Sequence, residues 1–534
     1  MRFVNASRGR RSRVAKVRNF HQARWEEPVI FELSQPGERG ILVPEAEKAI
    51  EERVGDGVSV LPEKMIRREP PALPEISQMR VLKHYLRLSQ ATLGADLNVD
   101  VGQGTCTMKY SPKVNEEFAR SPKSACIHPL QDEQTVQGAL EIIHSLDLFL
   151  REISGLDRFS LQPGGGSAAA LAMASIIRAF HERSGEGDQR DEIITTIFSH
   201  PSDAAVAAVK GFKVVTIHQN EEGLPDIDQL RKSVSERTAG LIITNPEDTG
   251  IFNSQIARFT EIVHSVGGLC GYDQANANGL LGITRASEAG FDMCYFNLHK
   301  TFSSPHGCGG PACGALGATE ELAAFLPVPV VERDVNGDYY LNYDLPNTIG
   351  KIRSFHGVFP AILRAYAWIM SLGAEGLREC ARLAVLNNNY VLAKVSQIRG
   401  ATAPYAEGRH RIEQVRYSWE ELYHDTGVTT EDIARRMSDY GFHLWQSHHP
   451  FIVPQPFTIE PTESYSRDEL DEYVAGLARV AREACDSPDL VKSAPHRSVV
   501  HRINEDWFDE PGKWAVTWRA YLKKHGAPGS GGRQ

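Results

Sequence analysis

The chain of 534 residues is 41% hydrophobic and 24% charged, and its formal net charge is -10. A chain this long exceeds the size of one hydrophobic core and predicts about two or three domains. The acidic balance and the ordinary composition argue against a nucleic-acid partner. Because no run approaches the roughly 18 apolar residues of a membrane helix, we also expect no membrane partner.

The first 25 residues form a basic segment with eight lysine and arginine residues ahead of the first acidic residue, Glu26. The segment lacks the apolar core of a signal peptide. We therefore predict a disordered, solvated arm. Its positive charge would suit an acidic partner surface. Residues 1–85 as a whole are rich in proline and charge, and we interpret them as an extended N-terminal arm.

Residues 86–330 predict a large α/β domain. An amphipathic helix that ends at Gly155 comes first, and helices then alternate with apolar strands. Because both faces of these strands are apolar, they indicate a mainly parallel sheet covered by helices. The predicted strands are IITTIF, KVVTI, GLIIT, GLCGYD and FDMCYF.

The remaining chain predicts three further segments. Residues 331–397 are expected to form a connecting helical segment, residues 398–485 a smaller C-terminal α+β domain, and residues 486–534 a tail. The fold class is therefore α/β, with a large parallel-sheet domain and a small α+β domain.

The eight cysteines contain no CxxC pair, which suits a reducing, cytoplasmic location. His306, Cys308 and Cys313 lie close together in sequence, but glycines and a proline separate them and no second ligand pair follows. We predict no metal site.

Chemically useful residues follow several predicted strands. In an open parallel sheet the ligand lies beyond the carboxyl ends of the strands. His200, Asn245, Asp273 and Lys300 each end or follow one of the predicted strands. We therefore expect them to meet at one edge of the sheet, together with the glycines 164–166 that precede a helix.

Lys300 and Asp273 together suggest pyridoxal phosphate. A buried lysine with a lowered pKa can form a Schiff base with a carbonyl, and this cofactor also needs a carboxylate beside its pyridine nitrogen. Asp273 suits that second role, although a strand-end aspartate is often only a turn residue.

The phosphate of such a cofactor would suit the start of the helix at PGGGSAAALAMAS. Gly165 and Gly166 allow an anion to approach the backbone, and Ser167 adds a hydroxyl. His200 is a candidate to stack on the ring, and Asn245 is a candidate donor to its phenolate oxygen. An Asn-Pro pair alone usually indicates a turn.

Longer motifs resemble one enzyme family. These are GTCTMKYSPKVNEE, HPLQDEQTVQGALEII, LQPGGG, TNPEDTGIF, YDQANANGLLG, FDMCYFNLHKTFSSPHGCGGP, LAVLNNNYVLAK, DYGFH and IEPTES. In this order, from about residue 28 to 501, they resemble subunit 2 of the two-subunit glycine dehydrogenase (decarboxylating), the P-protein of the glycine cleavage system.

The resemblance implies fold type I of the pyridoxal-phosphate enzymes, with Lys300 bound to the cofactor as an aldimine. Asp273 would pair with the pyridine nitrogen and His200 would stack over the ring, which makes these three residues the catalytic candidates. Ala275 would pack under the ring and Asn245 would face the phenolate oxygen. The residues implied around the phosphate are Gly165, Gly166, Ser167, Asn297 and His299.

The implied reaction begins when glycine forms an aldimine with the cofactor and loses carbon dioxide. The aminomethyl group then passes to the lipoylated H-protein. Glycine is the favoured substrate, and the family implies a homo-oligomer or a hetero-oligomer with a subunit 1 homologue.

The chain departs from the family at substrate-side motifs. HPSDAAV replaces the usual HGTNPAS, GGSAAA replaces AGAQGE, YDQANAN replaces YDGANLN, and HEFV is not recognisable in GRHRIEQVRYSW. Two other interpretations therefore stay open. One is a stand-alone pyridoxal-phosphate aminotransferase, decarboxylase or lyase for another amino acid in specialised metabolism, and the other is a non-catalytic subunit.

Overall fold

The computed structural model describes residues 17–55, 57–69, 71–93, 98–102, 104, 109–305, 312–405, 408–445, 452–499, 501–502, 508 and 510–526. The chain divides into two compact units. One comprises residues 1–19 and 95–493, and the other comprises residues 20–94 and 494–534.

The first unit is built around a seven-stranded sheet. Its strands are β1 (Arg158–Ser160), β2 (Glu192–Thr196), β3 (Lys213–Ile217), β4 (Thr238–Thr244), β5 (Leu269–Gln274), β6 (Met293–Asn297) and β7 (Gly314–Ala318), in the order β1-β7-β6-β5-β4-β2-β3. Strands β2 to β6 are parallel, and β7 is antiparallel to both β6 and β1. The predicted α/β fold and all five predicted strands are confirmed.

Strands β1 and β7 were not predicted, because β7 has the sequence GALGA and small residues have little strand propensity. Its glycines serve close packing instead. A Cβ atom at Gly317 would lie 2.3 Å from the ring of Phe159 on β1. The aromatic side chain thus occupies the space that a side chain on β7 would need.

The described chain also contains many helices and two further strand pairs. The helices are α1 (Lys48–Val54), α2 (Gln78–Gln90), α3 (Lys113–Arg120), α4 (Pro122–Ala125), α5 (Gln137–Ser154), α6 (Gly166–Arg183), α7 (Pro201–Val209), α8 (Ile227–Ser233), α9 (Ile256–His264), α10 (Glu320–Ala323), α11 (Phe359–Val395), α12 (Glu420–Thr426), α13 (Thr430–Ser438), α14 (Arg467–Asp486), α15 (Pro488–Lys492) and α16 (Trp518–His525). The strand pairs are β8 (Val330–Arg333) with β9 (Tyr339–Asn342), and β10 (Val415–Ser418) with β11 (Pro456–Ile459).

Helix α6 packs against the sheet through a buried face that is rich in alanine. Ala169, Ala170 and Met173 are fully buried on it. A Cβ atom at Gly271 of β5 would lie only 2.1 Å from the sulfur of Met173. This close approach fixes the start of α6 near the ends of β5 and β6.

The region around β10 and β11 has its own aromatic core. The rings of Tyr417 and Trp419 both stack on Phe457, with centroid distances of 5.0 and 4.9 Å. Helices α13 and α14 begin with capping boxes at Thr429 and Ser466, as their sequences favour.

The second unit joins N-terminal and C-terminal segments. Arg24 donates hydrogen bonds to the backbone carbonyls of His496 and Ser498, and Phe31 stacks on Trp518 at 5.0 Å. Residues 1–16 of the predicted basic arm lie outside the described residues. In the first unit Arg18 forms an ion pair with Glu472 at 2.8 Å. No described helix combines the length and apolar character needed to cross a membrane.

Replacing Gly317 by Ala should destabilise the sheet, because the new methyl group would collide with the Phe159 ring. We expect a loss of about 1–3 kcal/mol in the free energy of unfolding, measured by denaturant titration. Gly138→Ala in α5 is the matched control, since a Cβ there meets nothing within 4 Å. Equal stability of the two variants would contradict the packing argument.

Candidate functional site

Lys300 and Asp273 lie at the carboxyl ends of neighbouring parallel strands. Asp273 is near the end of β5 and is 3% exposed, and Lys300 lies in the turn after β6 and is 6% exposed. Asp273 is in register with Tyr295 of β6. Its Oδ1 accepts a hydrogen bond from the backbone N–H of Ala275 at 2.8 Å. A buried amine and a buried carboxylate therefore share this edge of the sheet.

The start of α6 faces the same turn. A Cβ atom at Gly166 would lie 2.8 Å from the side-chain nitrogen of Asn297, and one at Gly165 would lie 3.9 Å from His299. Among the described residues, the buried Oδ1 of Asn297 finds no hydrogen-bond partner. His299 Nδ1 lies 3.3 Å from the carbonyl oxygen of Cys313. Ser167, in the first turn of α6, is exposed.

Asn245 follows β4 at the same edge and is buried, but its side chain also has a structural role. It accepts a hydrogen bond from the backbone N–H of Asn253 at 2.9 Å and donates one to the carbonyl of Asn253 at 3.2 Å. Within the described part of the chain, these two bonds leave one amide hydrogen for a ligand. The predicted role toward a phenolate oxygen stays a prediction.

His200 is exposed and caps the start of α7. Its Nδ1 lies 3.1 Å from the backbone nitrogen of Ser202 and 2.8 Å from the Ser202 hydroxyl. These contacts orient the imidazole ring through one of its nitrogens. Stacking of the ring on a cofactor stays a prediction.

Sequence reasoning gave no role to Glu460, which the fold brings to the site from the end of β11. Its Oε1 accepts hydrogen bonds from the side-chain amides of Asn276 at 2.5 Å and Asn278 at 2.6 Å. Burial raises the pKa of Glu460 to about 7, although both amides and the positive charges of Lys300 and Lys109 act in the opposite direction. The motifs YDQANAN and IEPTES contain Asn276, Asn278 and Glu460, and they were the sequence signal that could have pointed to these residues.

Lys109 is a second cation near the site. It lies in the motif GTCTMKYSPKVNEE, but sequence reasoning gave it no role. Its ammonium nitrogen lies 2.9 Å from Glu463 and 4.9 Å from the centre of the Trp368 ring, and its side chain is 1% exposed. Lys109 is therefore a buried cation whose charge is balanced by Glu463.

Two further buried acids lie near the sheet edge. Asp203, in the first turn of α7, is 0% exposed, and burial and the nearby Asp273 carboxylate raise its pKa well above the ordinary value. Glu247, in the loop after β4, accepts a hydrogen bond from the Thr196 hydroxyl, and burial raises its pKa to about 8. Protonated carboxyl groups are therefore part of this region at neutral pH.

The site fits pyridoxal phosphate on the chain's own features. The buried Lys300 suits the aldehyde and the buried Asp273 suits the pyridine nitrogen. The glycines at the start of α6, where a side chain would collide with Asn297, suit a phosphate at a helix N-terminus.

The comparisons with known proteins agree with this chemistry. A family model described as aminotransferase class-V matches residues 164–322, and one described as glycine dehydrogenase, C-terminal domain, matches residues 380–499. The probable glycine dehydrogenase (decarboxylating) subunit 2 of Pyrococcus horikoshii is 46% identical over 510 residues, with 95% of this chain and 99% of that protein covered. The chain belongs to the glycine dehydrogenase (decarboxylating) subunit 2 family.

Other members and solved structures extend the comparison. The family member of Caldanaerobacter subterraneus is 42% identical, with 89% of this chain and 96% of that protein covered. The crystal structure of a glycine decarboxylase (P-protein) of the glycine cleavage system has a TM-score of 0.67 at 20% identity and covers 82% of this chain and 100% of its own. A NifS-like protein gives 0.55 at 16% identity, with 72% and 99% covered. These two likenesses concern the fold, which is fold type I. Pyridoxal phosphate is the cofactor of this family.

Three residues were considered as metal ligands from the sequence. Two of them, His306 and Cys308, lie outside the described residues. Cys313 is fully buried, with its sulfur 3.6 Å from the carbonyl of Leu161. Burial raises the pKa of this thiol to about 12, so it is neutral. A neutral thiol is a poor metal ligand.

Replacing Glu247 by Gln should remove a pH dependence of stability. The raised pKa of Glu247 means that the folded state holds the proton more tightly than the unfolded state, so wild-type stability falls as pH rises from about 4.5 to 8. Glutamine mimics the protonated acid and does not titrate. The variant should match wild type near pH 5 and exceed it by on the order of 3 kcal/mol near pH 9.

Denaturant unfolding at several pH values measures this difference. Glu221→Gln, at an exposed glutamate, is the control and should show no pH-dependent gain. A gain for Glu247→Gln that does not change with pH would show that the acid is ionised in the folded protein.

Proposed function

We propose that this chain is the pyridoxal-phosphate subunit of a glycine dehydrogenase (decarboxylating). It decarboxylates glycine and transfers the remaining aminomethyl group to a lipoylated H-protein, working in the cytoplasm with a subunit 1 partner. The observation that carries the proposal is the pair of buried groups, Lys300 and Asp273, on adjacent parallel strand ends beside the glycine-rich start of α6. Family membership supports glycine as the substrate.

The cofactor supplies an electron sink for the pair of electrons released when carbon dioxide leaves. Asp273 would keep a proton on the pyridine nitrogen, and the Ala275 N–H helps to hold that carboxylate in place. Asn297, His299 and the N-terminus of α6, with Gly165, Gly166 and Ser167, would bind the phosphate. Burial of Lys300 excludes water from its amine.

Glu460 and Lys109 are the groups that we assign to the substrate side. The pKa of Glu460, about 7, lets its carboxyl group accept or release a proton near neutral pH, and its charge interacts with Lys300. The buried ammonium group of Lys109 would attract a carboxylate, with Glu463 holding it in place.

A second candidate is a pyridoxal-phosphate enzyme for a different amino acid. It is favoured by one departure from the family motif, because HPSDAAV places the buried Asp203 where HGTNPAS has asparagine. The two candidates share the cofactor site and differ in substrate.

Lys300→Ala should abolish the visible absorbance of the lysine-bound cofactor in protein loaded with pyridoxal phosphate. The lysine supplies the amine of the Schiff base, and Lys109, the other buried lysine near the site, is paired with Glu463. Lys213→Ala, at an exposed lysine at the start of β3, is the control and should keep the band. An unchanged spectrum in Lys300→Ala would refute the assignment.

Exchange of labelled carbon dioxide into the carboxyl group of glycine tests the reaction. We expect exchange when the chain is combined with a subunit 1 protein and lipoylated H-protein, and none with Lys300→Ala. If there is no exchange, but another amino acid perturbs the cofactor spectrum, the second candidate is correct. If no amino acid perturbs it, the subunit is non-catalytic.

A further inference from the structure

Three side chains that can ligate a metal converge at the edge of the sheet opposite to Lys300 and Asp273. They are His264 at the end of α9, Cys270 near the start of β5, and Asp292 directly before β6. Their ligand atoms, an imidazole nitrogen, a thiol sulfur and a carboxylate oxygen, all lie within 4.8 Å of one another. Three different ligand types from three elements of the fold therefore surround one point.

The Asp292 carboxylate is held in place at the centre of this group. Its Oδ2 lies 2.9 Å from His264 Nε2 and accepts a hydrogen bond from the backbone N–H of Cys270 at 2.6 Å. The backbones of the same two residues are also joined, since the Asp292 N–H donates to the Cys270 carbonyl at 2.9 Å. Outer-shell bonds of this kind orient the ligands in metal sites.

The group is closed on one side and open on the other. Cys270 is fully buried, and its sulfur lies 3.9 Å from the carbonyl oxygen of Thr260. The side chains of His264 and Asp292 are 39% and 21% exposed. A cation from solvent can therefore reach the imidazole and the carboxylate directly and meet the sulfur beneath them, while water supplies a further ligand from the open side.

The ligand set indicates the kind of metal. Zn²⁺ binds nitrogen, thiolate sulfur and carboxylate oxygen in a tetrahedral arrangement whose ligand atoms lie roughly 3.3–3.8 Å apart. Ca²⁺ and Mg²⁺ prefer oxygen ligands, so a sulfur and an imidazole nitrogen do not suit them. Rotation of the exposed His264 ring and a small shift of the Asp292 carboxylate would bring the three ligand atoms to the spacing that zinc needs.

The Cys270 thiol must lose its proton to bind a metal. Burial and the Asp292 carboxylate raise the pKa of this thiol well above its ordinary value, so it is neutral in the absence of a cation. A metal held by the other two ligands reverses this effect, because a coordinating thiol is deprotonated outright. Among the described residues, Cys313 belongs to no such group of ligands, which distinguishes it from Cys270.

We propose that His264, Cys270 and Asp292 form a zinc site that ties the end of α9 to the starts of β5 and β6. One thiolate, one carboxylate and a neutral imidazole balance the two charges of the metal. The proton of the thiol and the proton between His264 and Asp292 leave to solvent. Because the site lies at the amino ends of the strands, the zinc stabilises the fold and takes no part in chemistry at Lys300, so this inference is independent of the proposed function.

Co²⁺ is the spectroscopic probe for this site. The full chain, freed of metal with a chelator and kept reduced, should develop an intense sulfur-to-cobalt absorption band on addition of Co²⁺, and Zn²⁺ should remove that band. Cys270→Ser should lose the band, because an oxygen replaces the sulfur. Cys126→Ser, at an exposed thiol, is the control and should keep it. Absence of the band in wild type, or its survival in Cys270→Ser, would overturn the proposal.

The affinity for Zn²⁺, measured by competition with a chromophoric chelator, gives a second test. His264→Gln removes one ligand at an exposed position where the fold should tolerate the change. Its affinity should fall at least about 10-fold, a loss that even an outer-shell partner of a metal ligand can cause. His424→Gln is the matched control, because His424 is also exposed and lies 3.7 Å from the carboxylate of Glu420. Equal affinities of His264→Gln and wild type would contradict the assignment.

Thermal unfolding separates a metal site from three side chains that only pack together. A metal that binds the folded state alone stabilises it, so Zn²⁺ should raise the Tm of wild type but not that of Cys270→Ser. If Cys270→Ser does not fold, His264→Gln takes its place in this comparison. A wild-type Tm that Zn²⁺ leaves unchanged would show that the proposal is wrong. None of these measurements needs the cofactor, so their outcome does not depend on the proposed function.

Discussion

The burial of the Asp273 carboxylate is the constraint on which the rest of the site depends. A charge that is 3% exposed needs hydrogen-bond donors, and the backbone N–H of Ala275, just past the end of the same strand, is one. The register of β5 with β6 places Tyr295 beside Asp273, and Lys300 lies in the turn after β6. Sheet register therefore sets the surroundings of this carboxylate.

The fold was predictable for those strands and helices whose hydrophobic pattern is visible within the segment itself. The apolar runs identified β2 to β6, and α5 ends at Gly155 as predicted, where the structure has the left-handed conformation. Strands β1 and β7 were missed because their pairing depends on packing across the sheet. Gly317 has no side chain because Phe159 fills that space, and no local pattern contains this information.

Part of the site was predictable from the rule that ligands bind beyond the carboxyl ends of parallel strands. That rule brought Asp273 and Lys300 to neighbouring strand ends without knowledge of side-chain contacts. It could not show that Asn245 already bonds to the Asn253 backbone, or that His200 bonds to Ser202. Nor could it reveal buried acids such as Asp203 and Glu460, because their partners lie far away in sequence.

The bonds of Asn276 and Asn278 to Glu460 connect the parallel sheet to the region around β11. While the two regions are in contact, the burial of Glu460 favours its protonated form. A movement that separated the two regions would return this side chain to water, lower its affinity for a proton and release one near neutral pH. Rising pH would therefore favour the separated arrangement, so any separation of these two regions, which both lie in the first compact unit, would be linked to proton release by Glu460.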